Sequence, residues 1–164
     1  RTRLPEEDMK IVRSHWDAGK PVIGIRTASH AFDQANNQIV VRRVLGGNYQ
    51  GHHGDGAVRV SIARDAQDHP VLAGVGQIES NKLYKAGKLS ETVTVLQYGF
   101  IGNKDEATVH PVTFINEFNG GRIFYTSLGV PSDFRDKDFL RMLENAIFWT
   151  TAKEPEAYLV TEQR

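Results

Sequence analysis

The sequence feature that most constrains the fold is a short apolar run, Pro21-Val22-Ile23-Gly24-Ile25, that directly follows a helical segment. The run shows no alternation between apolar and polar residues, a pattern typical of a strand that is covered on both of its faces. A helix followed by such a strand indicates helices packed against a parallel sheet. We therefore predict an α/β fold.

The helical segment before this run is marked at both of its ends. Pro5 suits the first helical turn, and the acidic residues 6–8 favour the positive end of the helix dipole. Gly19 supplies a left-handed stop after the helix. Between these ends an apolar stripe recurs at helical spacing, at Met9, Val12 and Trp16.

Strands are predicted further along the chain from alternation and from turn residues. Residues 57–63 alternate apolar and polar side chains, which indicates a half-exposed strand, and residues 92–96 form another strand. Residues 109–118 and 122–128 flank Asn119-Gly120-Gly121, so these two segments are predicted to form a hairpin.

The remaining segments are a glycine-rich stretch and a final helix. Residues 45–56 contain five glycines in twelve positions, which argues against a regular element there. The last helix is predicted from about Phe134 to Thr151, and residues 154–164 form a polar tail after a domain of residues 1–153. The buried stripe of this helix is predicted at Phe139, Met142, Leu143, Ala146 and Ile147.

Only one fully covered strand is evident before residue 57, whereas a sheet of this kind usually has roughly four or more strands. We therefore expect one or more strand–helix units to precede Arg1. The alternative is a small α+β domain that is complete as given. The polar start carries no signal peptide, so a cytoplasmic location and export by a signal lost upstream both stay open.

Composition excludes several classes of function. The 164 residues include 20 Lys and Arg, 20 Asp and Glu, and no Cys. Balanced charge argues against a nucleic-acid binder, and no apolar stretch approaches the roughly 20 residues that cross a membrane. Without cysteine there is no thiol nucleophile and no thiolate metal site. The composition identifies no cofactor, and it is compatible with a homo-oligomer.

The turn after the covered strand is the first candidate site, because ligands of open α/β sheets bind beyond the carboxyl ends of the strands. Arg26 takes the position that nucleophiles occupy in elbow-type turns. Its guanidinium only donates hydrogen bonds, so it would bind a carboxylate, a phosphate or sugar hydroxyls. Ser29 and His30 lie in the same turn. Alternatively, Arg26 forms a structural ion pair and Ser29 caps a short helix.

A second candidate is the segment Gly51-His52-His53-Gly54-Asp55. Imidazoles suit transition metals, but neighbouring side chains on an extended backbone point to opposite sides, and the spacing matches no familiar ligand pattern. We therefore predict no metal site here. One of the two histidines is predicted to line a pocket while the other faces water, and a fully solvated pair is the alternative.

Two further segments are weaker candidates. Tyr84 and Lys82 could cover a pocket with a phenol and an amine, or they belong to a solvated loop on which Tyr84 packs. Residues 122–129 end a strand in small polar residues, an ending that suits the lining of the same sheet edge. Phe124 and Leu128 in that segment are ordinary core residues.

Several ordered motifs resemble one known family, the ThuA-like (trehalose-utilisation) proteins. The resemblance covers about Pro5 to Thr151, nearly the whole chain. The segments that carry it are Gly19-Lys20-Pro21-Val22-Ile23-Gly24-Ile25-Arg26-Thr27-Ala28-Ser29-His30-Ala31-Phe32, Gly46-Gly47-Asn48-Tyr49-Gln50-Gly51-His52-His53, Asp68-His69-Pro70-Val71-Leu72, Gly121-Arg122-Ile123-Phe124-Tyr125-Thr126-Ser127-Leu128-Gly129 and Asn145-Ala146-Ile147-Phe148-Trp149.

The resemblance implies a fold and a class of substrate. ThuA-like proteins are similar to class I glutamine amidotransferases, whose flavodoxin-like sheet carries helices on both faces in a three-layer sandwich, and this implies an N-terminally truncated start here. Amidotransferases place a cysteine where this chain has Arg26, so no glutaminase activity is implied. The implied partner is a small carbohydrate: trehalose, a related disaccharide or an oxidised (keto) derivative.

The chain departs from the family pattern at two places. Family members often have Asp-Glu-Leu-Tyr where this chain has Asn81-Lys82-Leu83-Tyr84, and often a His where it has Val130. Two hypotheses follow. In an enzyme, His30 or His53 would be the general acid or base, and the substrate would be bound by Arg26, Ser29, His52 and Tyr84. The alternative, favoured by the two departures, is a sugar-binding or interaction module without catalysis.

Overall fold

The fold begins with the helix and strand that the sequence predicts. In the computed structural model, α1 spans Glu6–Asp17 and β1 spans Val22–Ile25. Gly19 joins them with a φ of 66°, and a Cβ at this position would lie 2.3 Å from the backbone oxygen of Asn119. Glycine is therefore required both by the left-handed backbone and by the close packing of this turn on the later hairpin.

The structure describes residues 4–32, 39–47, 49–102 and 108–152. The predicted polar tail and the domain boundary at residue 153 lie outside these residues. The remaining helix, α2, spans Lys137–Thr151. The remaining strands are β2 (Tyr49–His52), β3 (Val58–Ile62), β4 (Glu79–Ser80), β5 (Tyr84–Ala86), β6 (Thr94–Ile101), β7 (Thr108–Phe118) and β8 (Gly121–Thr126).

Six of these strands form one sheet in the order β1-β8-β7-β6-β3-β4, and β2 pairs with β5 in a second sheet. Within the described residues only β1 and β8 run parallel, and the other pairs are antiparallel. The expectation of a parallel sheet is therefore wrong for most of the described strands. Short connections reverse the chain between β6 and β7 and between β7 and β8, whereas a parallel pair needs a crossover of about a dozen residues or more.

The predicted hairpin is confirmed as β7 and β8. Asn119 and Gly120 connect the strands with φ values of 51° and 82°. Two central residues with positive φ are the feature of a type I′ turn, whose twist matches that of the flanking strands. The prediction succeeds because the asparagine–glycine pair determines the turn locally.

Helices cover the six-stranded sheet on both faces. Along β8, Ile123 and Tyr125 face a core with Met9 and Trp16 of α1, whereas Phe124 faces a core with α2. Alternation of neighbouring strand residues between two cores produces three layers. The protein is thus a mixed α/β, flavodoxin-like fold, as predicted. No helix in the described part of the chain is long and apolar enough to span a membrane.

Strand β1 is less covered than its apolar sequence predicts. Gly24 is buried, but Val22, Ile23 and Ile25 are only half-buried. The reason is that β1 is an outer strand of the described sheet. It borders an apolar groove of about 540 Å³ that α1 also lines. That further strand–helix units precede Arg1 stays a prediction.

Two other sequence expectations need correction. The glycine-rich stretch contains a regular element after all, because β2 pairs with β5 through the partners Tyr49–Ala86 and His52–Tyr84. The last helix begins at Lys137 rather than near Phe134, because the Asp136 carboxylate accepts hydrogen bonds from the first backbone amides of the helix.

The buried stripe of α2 also differs at two positions, and at the first of them Leu143 is only partly buried. Phe139, Met142 and Ala146 are fully buried as predicted, but Ile147 is 52% exposed. Thr150 takes the buried position instead and donates its hydroxyl to the Ala146 carbonyl at 2.8 Å. The helix therefore presents a slightly rotated face to the sheet near its end.

Truncation of Phe139 to alanine is predicted to lower the free energy of unfolding by about 3–5 kcal/mol, because the fully buried ring leaves a cavity. Leu140→Ala on the same helix is the matched control. Its side chain is 45% exposed, so we expect a loss of about 1 kcal/mol or less. Urea denaturation of both variants measures the difference, and equal losses would contradict the assigned helix face.

Candidate functional site

The candidate site lies at the carboxyl ends of β1 and β8. These strands are parallel with Ile25 opposite Thr126, so the residues that follow, Arg26 and Ser127, emerge side by side. The Arg26 guanidinium donates from Nη1 to the Ser127 carbonyl at 3.1 Å. Arg26 thus lies at the sheet edge where the sequence places it. This is the edge at which α/β sheets bind ligands.

Arg26 makes the sharp turn expected of an elbow residue. Its φ is 48°, a left-handed conformation that non-glycine residues rarely adopt, and a 3₁₀ turn over Arg26–His30 follows. Two buried hydroxyls hold this turn, because Ser29 Oγ and Tyr125 Oη both donate to the Arg26 carbonyl, at 3.1 and 3.0 Å. Burial raises the pKa of the Tyr125 phenol well above its usual value, so the phenol keeps its proton as donor.

Ser29 does not cap a helix, contrary to one of the two expectations for it. It lies inside the 3₁₀ turn and is buried there. Arg26 likewise forms no ion pair with any carboxylate of the described residues. Its guanidinium carbon lies 4.6 Å from the centre of the Tyr84 ring, in a cation–π arrangement. An arginine with one hydrogen bond and an aromatic support keeps donors for a ligand.

Aromatic rings form a cluster around Tyr84. The His30 and Tyr49 rings stack at a centroid distance of 4.0 Å, and Tyr49 lies 4.7 Å from Tyr84. The His30 and His52 rings lie 5.8 and 6.4 Å from Tyr84. The structure therefore places Arg26, His30, His52 and Tyr84, four of the candidate residues from the sequence, close to one another. Tyr49 was missed, although an aromatic residue in a glycine-rich stretch was the available signal.

His53 lies apart from this cluster. Its Nε2 is 3.2 Å from the Nε2 of His110 on β7. The Ala86 amide donates to His110 Nδ1 at 3.3 Å, so His110 carries its proton on Nε2 and donates to His53. The two neighbouring histidines thus have different contacts, in agreement with the alternation along an extended backbone.

Burial favours the neutral forms of the paired histidines. Desolvation lowers the pKa of His53, and the nearby charge of Lys85 lowers it further. Desolvation also lowers the pKa of His110, followed by the effect of His53. The hydrogen bond between the two rings requires a lone pair on one of them, so double protonation would break it.

A narrow cleft opens beside Arg26. Its volume is only about 20 Å³, room for about one water molecule. The residues that line it are Ser29, Leu45, Gly47, Tyr49, Tyr84, Lys85, Ala86, Pro111, Phe114, Tyr125 and Ser127. A sugar ring would therefore have to lie across the mouth of the cleft, with at most one small group inside.

Ser127 carries a buried hydroxyl in this cleft that has no partner in the described part of the chain. Its amide donates to the Val112 carbonyl, and its carbonyl accepts from Arg26. Its Oγ is buried and has no hydrogen-bond partner among the described residues. An unpaired buried hydroxyl costs about 1–3 kcal/mol, so this atom is expected to have a partner when the cleft is occupied. The sequence indicated only that this strand ends in small polar residues.

Asp55, which follows the two histidines in the sequence, pairs with a lysine and not with a histidine. Asp55 is exposed and pairs with the Lys82 ammonium at 2.7 Å, a hydrogen bond that lowers the pKa of the Asp55 carboxyl. Lys82 therefore does not accompany Tyr84 at the cleft. Within the described ranges, no group of three or more His, Cys, Asp or Glu residues could hold a metal ion.

Comparison with known proteins identifies the family. The model of the ThuA family, described as trehalose utilisation, matches residues 1–150. The chain belongs to the ThuA family. This membership confirms the resemblance seen in the sequence and supports a carbohydrate-related role in general terms. Among curated protein sequences, none matches this one.

Solved structures show the ThuA fold. A ThuA-like protein from Bacteroides uniformis ATCC 8492 has a TM-score of 0.65 at 18% identity, over 89% of this chain and 64% of that chain. A second one, from Parabacteroides merdae ATCC 43184, has a TM-score of 0.68 at 15% identity, over 94% and 69% of the two chains. The present chain thus spans somewhat under two thirds of the length of the first.

One domain-sized part of a larger protein is also similar. Agd3, a carbohydrate deacetylase, has a TM-score of 0.56 at 13% identity, and the match covers 91% of this chain but 21% of Agd3. At these identities the likeness to all three structures is one of fold alone.

The lowered pKa values of His53 and His110 predict a pH-dependent stability. The unfolded chain binds protons near pH 6.5 more readily than the folded one, so the free energy of unfolding falls as the pH drops below about 6.5. His110→Asn keeps an acceptor for the Ala86 amide but does not titrate. We expect its urea midpoint to fall less between pH 7.5 and 5.5 than that of the parent.

Val109→Ala is the matched control for this experiment. Its side chain is 44% exposed and lies next to His110 on the same strand. This variant is expected to keep the pH dependence of the parent. An equally steep decline in His110→Asn would show that the histidine pair does not couple protonation to folding.

Proposed function

We propose that this ThuA-family protein binds trehalose, or a keto derivative of trehalose, at the mouth of the cleft between β1 and β8. The observation that carries the proposal is the conformation of Arg26 and the hydrogen-bond donors that it keeps free. It adopts a left-handed backbone, lies over the Tyr84 ring, and uses one guanidinium donor for the Ser127 carbonyl. Its remaining donors can bind ligand oxygens, and no carboxylate of the described residues neutralises it.

The surroundings of Arg26 support a sugar as the ligand. Binding sites for small molecules combine apolar and aromatic walls with a few placed polar groups. Tyr49 and Arg26 are both partly exposed, and the part of the Tyr49 ring that His30 leaves uncovered can contact the apolar side of a pyranose. The small cleft behind them excludes a whole sugar ring, so the ring lies across the mouth.

A glutaminase activity is not part of the proposal. The elbow position of the fold carries Arg26, and the chain has no cysteine. Arginine stays protonated and offers no lone pair for attack on a carbonyl carbon. The elbow therefore serves binding rather than covalent catalysis.

A second candidate function, chemistry on the bound sugar, is favoured by His30. Its Nδ1 lies 3.1 Å from Ser29 Oγ, and its ring stacks on Tyr49 beside the cleft. An imidazole held in this way can act as a general acid or base. The replacement of the family's two acids by Asn81 and Lys82 favours the alternative, a sugar-binding module without turnover.

Replacement of Arg26 by methionine is predicted to weaken the binding of trehalose, or of 3-ketotrehalose, by roughly 10- to 100-fold. The reason is the loss of charge-assisted hydrogen bonds while the length of the side chain is kept. Isothermal titration calorimetry measures the affinities. Arg42→Met, at an exposed arginine, is the control and should bind like the parent. Absence of binding of both sugars by the parent would overturn the proposed function.

The catalytic alternative is tested by turnover of trehalose and 3-ketotrehalose. If the protein is an enzyme, His30→Ala is expected to lower kcat by about 100-fold or more, because it removes the acid or base beside the cleft. His53→Ala is the matched comparison and is expected to have a smaller effect, since its ring bonds to His110. If the parent binds sugar but does not turn it over, the catalytic alternative is excluded and the protein is a sugar-binding module.

A further inference from the structure

The buried hydroxyl of Ser127 carries an inference that deepens the proposed function and rests on it. Four residues that line the cleft carry a hydroxyl and are buried: Ser29, Tyr84, Tyr125 and Ser127. Ser29 and Tyr125 are committed to the Arg26 carbonyl. The Ser127 side chain is 3% exposed, and its Oγ has no partner among the described residues. It is a buried side-chain oxygen for which the described residues offer no partner.

The size and walls of the cleft limit what can reach Ser127. The volume of about 20 Å³ admits one group of the size of a water molecule. Leu45, Pro111 and Phe114 supply apolar walls. What enters is therefore a single polar atom carried by a carbon at the apolar entrance, since the cleft has room for only one group of this size.

We propose that the cleft takes the primary hydroxyl of a hexose ring, bound to Ser127 Oγ, while the methylene that carries this hydroxyl lies at the entrance of the cleft. The ring remains at the mouth next to Arg26. Hydroxyls both donate and accept, so one hydrogen bond satisfies Ser127 and the buried hydroxyl of the sugar together. The ligand class is thus a pyranose with a free primary hydroxyl, and pentopyranoses are disfavoured.

The test compares trehalose with 6,6′-dideoxytrehalose, which keeps both carbons but lacks both primary hydroxyls. Titration calorimetry of the parent is expected to show roughly five- to tenfold tighter binding of trehalose, the effect of one buried hydrogen bond. Ser127→Ala should bring this ratio close to one. Arg26→Met should weaken both sugars to a similar extent and preserve the ratio.

Further measurements test whether the substitutions disturb the fold and whether the sugar, and not a water molecule, contacts Ser127. Ser61→Ala changes an exposed serine of β3 and should leave the ratio unchanged. Ser127→Ala is expected to unfold at the same or a higher temperature than the parent, because it removes an unpaired buried hydroxyl. A crystal structure of the trehalose complex should place a sugar oxygen within about 3.0 Å of Ser127 Oγ, the upper end of the usual range for O–H···O hydrogen bonds.

The outcomes separate this inference from the proposed function. Trehalose binding with a ratio near one in the parent, or a complex in which only a water contacts Ser127, overturns the inference and leaves sugar binding intact. Absence of trehalose binding also overturns the inference. If 3-ketotrehalose also fails to bind, the proposed function is overturned together with the inference.

Discussion

The parallel pairing of β1 with β8 is the interaction on which the candidate site depends. Its register sets Ile25 opposite Thr126, and this places Arg26 and Ser127 beside each other although they are 101 residues apart in sequence. A slip of one residue would turn every side chain of β1 to the other face of the sheet. Packing of β8 against α1 on one face and α2 on the other holds this register.

The strained turn at Arg26 is supported by its neighbours. A left-handed non-glycine residue costs about 1–3 kcal/mol and persists only where the surroundings hold it. Here the hydroxyls of Ser29 and Tyr125 hold the Arg26 carbonyl, and both are buried. The guanidinium is therefore presented at the sheet edge before any ligand arrives, which lowers the ordering cost of binding.

The segment after Ser127 is fixed by a buried carboxylate. Asp133 accepts hydrogen bonds from the amides of Gly129 and Val130 and from the Ser80 hydroxyl. Its side chain is buried, so these donors replace the water that an ionised carboxylate requires. The network ties the end of β8 to β4, at the far side of the sheet, and keeps the wall of the cleft in place.

Local patterns were sufficient to predict α1, the β7–β8 hairpin and the position of Arg26. Gly19, the asparagine–glycine turn and the apolar run before Arg26 act through the backbone of their own neighbours, so the sequence alone determines them. The same reasoning failed for the 45–56 stretch, because pairing with β5 compensates for its glycines. The secondary-structure propensity of a segment does not include the strands with which the segment pairs in the folded protein.

Tertiary structure alone decided which distant residues meet. His53 contacts His110 across 57 residues, and Tyr49 joins His30 and Tyr84 through the β2–β5 pair. Ser127 became a candidate only because both of its backbone groups and the hydroxyls of Ser29 and Tyr125 have partners, whereas its own Oγ has none among the described residues. Such facts depend on packing between separate elements, and no local pattern in a single sequence encodes them.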